Sequence, residues 1–297
     1  MSSSNHHTRR SQPYPMVRLT HRKLAAEYDG PVYIWDVDKT YLDTRFSSLK
    51  GLAKIPFEFA QDKKAVPGTV ELLRALRRGP EETRHRPLYF VSASPPPLRH
   101  AIERKMLLDG VEFDGISYKD PVRAAIRVSI KQIRRQFAYK LSALLTLTHE
   151  DLAPGAQLHL FGDDAEADPL IYALFADIIG GRLQGDSLYR TLRNLDMPTI
   201  FARRLTQLGK EIGPVHGVVG IYIHLVRNLD GGSLSTFDER MMGWPTTASL
   251  ARHLQSAHLI NEAQSGKVRD QAGPSEAFFG GTPTDPTGFW TPLAMRR

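Results

Sequence analysis

Two aspartates two residues apart, Asp36 and Asp38, close a short apolar run in PVYIWDVDKTYLDT (31–44), and Thr40 lies just beyond them. On an extended strand such residues point to the same side, so both carboxylates can face one small substrate while Thr40 offers a hydroxyl. In a pair of this kind one carboxylate can attack and the other can move protons. Further along, LYFVSASPPP ends an apolar run in Ser92, Ala93 and Ser94 before three prolines. It presents a hydroxyl and a turn whose free amides suit an anionic oxygen. In a third segment, LHLFGDDAEADPLIY, Gly162 is followed by Asp163, Asp164, Glu166 and Asp168. Carboxylates this dense repel one another unless a cation lies among them, and an all-oxygen set suits a hard ion such as Mg2+. Taken singly, each segment also has a plain structural reading: Asp in a turn, Ser and Pro ending a strand, Asp168 capping a helix.

These side chains need elements that end at one place. Apolar, β-rich runs fall at 32–35, 88–92, 111–116, 158–161 and 218–226, and helical patterns separate most of them. That alternation predicts an α/β fold, a three-layer, Rossmann-like parallel sheet with helices on both faces. Helix starts are marked by Pro67-Gly68, Pro97 and Asp168-Pro169; a further helix is expected over 198–212 and a last one over 246–259. Residues 1–29 read as a mostly disordered basic leader, 30–262 as the folded domain and 263–297 as a flexible tail rich in Gly, Pro, Ser and Thr.

Composition bounds the chemistry. The 297 residues are 41% hydrophobic and 24% charged, enough for a substantial core. Cysteine is absent, which excludes disulfides, thiolate catalysis and cysteine-ligated metals. The net charge of +7 favours an anionic partner. No run approaches the roughly 18–20 apolar residues of a membrane span, and the N-terminus lacks a secretion signal, so cytoplasmic residence is the default expectation.

In chain order, DVDKT, the Ser of VSASP, a downstream lysine and GDDAEAD form a constellation that resembles the haloacid-dehalogenase-like phosphatases. With YKLSALLTL included, it looks most like the actin-patch-associated phosphatidate phosphatases and their bacterial relatives, over about residues 31–177. The resemblance implies that Asp36 is the nucleophile and Asp38 the general acid and base. Ser92, with Thr40, Ala93, Ser94 and Lys140, would hold the phosphoryl group, and Asp36, Asp38, Asp163 and Asp168 would hold Mg2+, Asp38 through its backbone oxygen. Lys119 and Lys131 compete with Lys140 for the lysine role, and Asp164 is left either behind the metal or unused. One departure stands out: the family's usual acidic residue after the second Asp is Lys39 here. The segment 44–66 occupies the place of a flap or small cap, where Phe46, Leu49, Leu52, Phe57 and Phe59 could meet an apolar part of the substrate.

The run RAAIRVSIKQIRRQFAYK (123–140) carries six positive charges and no acid. Arg123, Arg127, Lys131 and Arg135 recur every fourth residue beside an apolar stripe, predicting a basic amphipathic helix. Such a helix is either a solvated surface or a dock for an anionic membrane near a lipid-phosphate substrate. Nucleic acid is not the expected partner, because the basic residues lack interleaved aromatics for stacking on bases. The expected activity is Mg2+-dependent phosphomonoester hydrolysis, with phosphatidate or a similar lipid phosphate as substrate. The competing reading is a non-catalytic anion-binding or membrane-recruitment protein that uses the same fold.

Overall fold

The computed structural model describes residues 14–43, 64–94, 98–120, 132–213, 217–227 and 234–273. Seven strands form one sheet: β1 (Met16–Thr20), β2 (Pro31–Asp36), β3 (Leu88–Ser92), β4 (Gly115–Lys119), β5 (Gln157–Asp163), β6 (Val218–His224) and β7 (Met241–Trp244). Their spatial order is β1-β4-β3-β2-β5-β6-β7. All neighbours pair in parallel except β1, which runs antiparallel to β4. The central strands β2, β3 and β5 are buried along almost their whole length. Strands covered on both faces carry continuous apolar runs, which is why their sequences do not alternate. From β2 the chain winds outward through β3 and β4, then returns to place β5 on β2's other side. That reversal opens a crevice between β2 and β5 at their carboxyl ends, the place where open α/β sheets bind ligands.

Eight described helices cover the sheet: α1 (Thr69–Arg78), α2 (Arg99–Leu108), α3 (Gln132–Asp151), α4 (Asp168–Ile179), α5 (Gly185–Asn194), α6 (Thr199–Ile212), α7 (Thr247–Ser256) and α8 (Glu262–Ala272). One apolar cluster joins α3 to α6 with one face of the sheet. The other joins α1, α2, α7 and α8 with the opposite face, as the three-layer expectation requires. Among the described residues no helix is long and apolar enough to cross a membrane.

Several expected boundaries move. Met16–Thr20 lies within the expected leader, yet Met16 is buried and Arg18 pairs with Glu150 and Asp151, which ties the edge strand to α3. The helix at 247–256 is not the last. Within the expected tail, α8 starts on a capping box in which the Asn261 side chain accepts from the Gln264 amide and Gln264 returns the bond, both at 2.8 Å. Val268 then buries fully against α1, close to the left-handed Gly68, where any Cβ would stand 3.0 Å from the Val268 carbonyl. The strand expected at 111–116 begins instead at Gly115. The Val111 amide closes the end of α2 on the Met106 carbonyl, and Asp114 accepts from the Leu88 amide at 3.0 Å, so this stretch is spent on a turn. The segment 44–63, with Phe46, Leu49, Leu52, Phe57 and Phe59, and Arg123, Arg127 and Lys131 lie outside the described residues.

Candidate active site

The tips of β2, β3 and β5, joined by α3 and α4, assemble a buried polar cluster. Asp36 ends β2, Ser92 ends β3, Asp163 ends β5 and Asp168 opens α4; all four are buried. Carboxylate oxygens of Asp36, Asp163 and Asp168 lie within 4.8 Å of one another. Gly162 permits this approach, because a Cβ there would stand 2.5 Å from Asp168 Oδ2. Asp163 is held by its own turn: Oδ1 accepts from the amides of Ala165 at 2.6 Å and Glu166 at 3.0 Å. Asp168 Oδ2 accepts from the Asp163 amide at 3.2 Å.

Lys140 projects from α3 into this cluster and is 1% exposed. Its Nζ meets Asp36 Oδ1 at 2.8 Å, Glu166 Oε2 at 2.8 Å and Asp168 Oδ1 at 2.6 Å. Lys140 therefore leaves the expected basic surface and becomes the internal counter-ion. Lys119 is partly exposed at the end of β4, and Lys131 lies outside the described residues. One ammonium does not balance the cluster. Asp36 Oδ2 and Asp163 Oδ2 are buried and meet no hydrogen-bond donor among the described residues. Orphaned carboxylate oxygens in the interior call for a cation, and hard oxygen donors at this spacing fit a metal ion.

Electrostatics follow burial. Desolvation pushes Asp36 and Asp163 well above the usual carboxylate range, and neighbouring carboxylates push them further. Asp168 is also raised by burial, although Lys140 opposes the shift. Burial pulls Lys140 down, but Asp168, Asp36 and Glu166 more than offset it and hold the ammonium charged. For Glu166, burial is likewise outweighed, here by Lys140, and its net pKa is lowered. Glu166 stands in the acidic segment, yet sequence reasoning gave it no role. Its place on the turn before α4 carries no local signal for this contact, which only the packing of α3 against that turn brings about.

Asp38 sits past the strand end, where burial raises it and a hydrogen bond from Ser94 opposes the shift. Ser94 Oγ donates to Asp38 Oδ2 at 2.6 Å, and the Ser94 amide donates to Ser92 Oγ at 3.2 Å. The Ser94 hydroxyl thus orients Asp38, while Ser92, as an acceptor here, keeps its own proton to donate. The Thr40 hydroxyl is buried with no partner among the described residues. Ala93 is half-buried and packs on the core. Asp164 turns away from the cluster: its Oδ1 accepts from the Val226 and Arg227 amides at 2.7 and 2.8 Å and fastens the loop after β6. His224 is a second residue without an assigned role in the sequence reading. It ends β6, stacks on Trp244 at 4.1 Å, and its Nδ1 lies 2.6 Å from the Lys39 carbonyl.

Fold and site together define an α/β enzyme with a buried carboxylate–lysine centre able to hold a metal ion. Comparison with family models matches residues 32–185 to phosphatidate phosphatase APP1, catalytic domain. The chain belongs to that family, which makes it a phosphoric monoester hydrolase. No curated protein and no solved structure matches the chain.

Proposed function

We propose that the protein is a Mg2+-dependent phosphomonoester hydrolase working through an aspartyl-phosphate, with phosphatidate or a closely similar lipid phosphate as substrate. The observation that carries this reading is the convergence of Asp36, Asp163 and Asp168 around Lys140 at the switch point of the sheet. Asp36 attacks phosphorus and the ester P–O bond breaks. Asp38 gives its proton to the departing alkoxide, a leaving group too basic to depart unaided. Asp38 then takes a proton from water as that water attacks phosphorus; the bond between phosphorus and the Asp36 carboxylate oxygen breaks, releasing phosphate and restoring Asp36. Lys140 and Ser92 offset the charge carried on the transferring oxygens. Asp36, Asp163, Asp168 and the Asp38 carbonyl would hold Mg2+, which supplies charge neutralisation between two anions that must meet.

The test is hydrolysis of an aryl phosphate and of phosphatidate in mixed micelles, with Mg2+, with EDTA, and with Asp36→Asn. Turnover should require the ion and fall by at least about 10⁴ in the variant. Turnover that survives both EDTA and Asp36→Asn would remove this mechanism. Release of phosphate from soluble esters but not from phosphatidate would leave the mechanism and remove the lipid assignment.

A further inference from the structure

Asp38 stands on a turn, residues 37–42, beyond the strand pairing that fixes Asp36. The turn closes on itself: the Tyr41 and Leu42 amides donate to the Val37 carbonyl at 3.1 and 2.9 Å, and the Lys39 amide donates to the Leu42 carbonyl at 2.7 Å. Closing it puts Lys39 at φ +62°, in the left-handed region that non-glycine residues adopt uncommonly. A backbone held there persists where its surroundings over-determine it. Two contacts from outside the turn do so near Asp38. From the β3 side, Ser94 Oγ donates to the Asp38 carboxylate at 2.6 Å. From the β6 side, His224 Nδ1 lies 2.6 Å from the Lys39 carbonyl. A carbonyl only accepts, so Nδ1 carries the proton. His224 is aimed by its own surroundings: its ring lies 4.1 Å from that of the fully buried Trp244 and 12° from parallel. Its backbone is paired with Asp163 across β5 and β6, and its carbonyl accepts from the Asp164 amide at 3.0 Å. One residue therefore bridges the turn of Asp38 and the turn of Asp163.

We propose that His224 is a positioning residue for phosphoryl transfer: by donating Nδ1–H to the Lys39 carbonyl it fixes the turn that aims the Asp38 carboxyl at the leaving oxygen. This rests on the phosphatase reading above. His224 touches no reacting atom and acts through the backbone next to the acid. Its importance therefore follows the need for that acid. A basic leaving oxygen requires the Asp38 proton as the ester bond breaks, whereas a weakly basic one departs without it.

The test pairs His224→Phe, which keeps a ring against Trp244 and removes the donor, with His224→Asn, whose side-chain NH2 stands two bonds from Cβ as Nδ1 does and can still donate. With Mg2+ present, kcat/KM is measured on phenyl phosphate and on 4-nitrophenyl phosphate, whose phenolate is the weaker base; this constant reports only the steps through cleavage of the ester bond. His224→Phe should lose about tenfold or more on phenyl phosphate and less than about threefold on 4-nitrophenyl phosphate, and His224→Asn should stay within about threefold of wild type on both. In the metal-free protein, hydrogen exchange of the Lys39 and Leu42 amides should quicken about tenfold in His224→Phe but not in His224→Asn. In the wild-type chain, nitrogen NMR spectra should find Nδ1 protonated. Equal or absent losses on the two esters, unchanged exchange in His224→Phe, a loss in His224→Asn as large as in His224→Phe, or a wild-type Nδ1 without its proton would each overturn the proposal. Failure of the phosphatase reading looks different: the wild-type chain would turn over neither ester with Mg2+, while amide exchange and the tautomer would still report on His224.

Discussion

Strands β2, β5 and β6 carry two kinds of buried surface, and the contrast between them separates what stabilises the fold from what the site demands of it. Along their bodies the strands present an aromatic ladder: Trp35 stacks on Phe161 at 4.2 Å, Phe161 on Tyr222 at 4.7 Å, and Tyr222 lies parallel to His159 at 6.1 Å. At the tips of β2 and β5, a few residues further on, stand the carboxylates. Both regions are inaccessible to water. In the ladder, burial matches the side chains: Tyr222 is held neutral by a pKa that burial raises, and His159 is held neutral by desolvation, its pKa lowered to about 4. At the tips, burial opposes the side chains, and the opposition is only partly relieved by Lys140. The ladder contributes stability, whereas the tips draw on it to keep charge positioned without solvent.

The largest break in this comparison should come from Lys140→Met. With the internal cation gone, Asp36, Glu166 and Asp168 lose their shared partner, and removing one side of a buried ion pair costs about 3–5 kcal/mol. Urea unfolding of the metal-free protein at pH 7 measures it. Asp36 and Asp163 already have raised pKa values, so protonation relieves the repulsion and the loss should shrink toward pH 5. A loss below about 1 kcal/mol at pH 7 would mean that Lys140 does not hold the tips together.

The ladder has its own pH signature, of similar size and distinct sign. His159 is neutral when folded, with a pKa of about 4, against 6.5 when unfolded. Its stabilising contribution is complete above pH 6.5 and is lost as pH falls toward 4, because only the unfolded chain takes the proton. That gap corresponds to about 3 kcal/mol. In His159→Gln the acid-side fall in unfolding free energy should lack this component, and an identical slope in wild type and variant would show that His159 is not the titrating group.

The smallest effect sharpens the tips alone. Ser94→Ala removes the hydroxyl that donates to Asp38. A charge-assisted bond of this kind supports a fall in kcat of about tenfold. Because that bond lowers the Asp38 pKa, its loss should also move the Asp38 limb of the pH–rate profile upward. A lower kcat with an unmoved profile would assign Ser94 to packing.

Much of this was legible in one dimension. The apolar runs ending in Asp36, Ser92 and Asp163 were visible because strands covered on both faces must be apolar until they emerge, and the first polar residues then mark the emergence. Short elements were less legible. In β1 only five residues pair, and what holds them is Arg18 reaching residues 150 and 151, a contact far away in sequence. In α8, weak amphipathicity and polar composition hid a helix whose signal was local, the Asn261–Gln264 capping box.

Residue types and their order determined by themselves that carboxylates, a hydroxyl and a lysine were available at strand and helix ends, because chemistry and periodicity are local properties. Tertiary structure decided which of them meet. It turned Lys140 from a charge on a basic run into an internal counter-ion, gave Glu166 a share of it, turned Asp164 toward the loop after β6, and set His224 to hold the turn of Lys39. Those outcomes depend on the reversal that puts β5 beside β2 and on the reach of α3 beneath it, and distances between side chains more than a hundred residues apart are written only in the packed molecule.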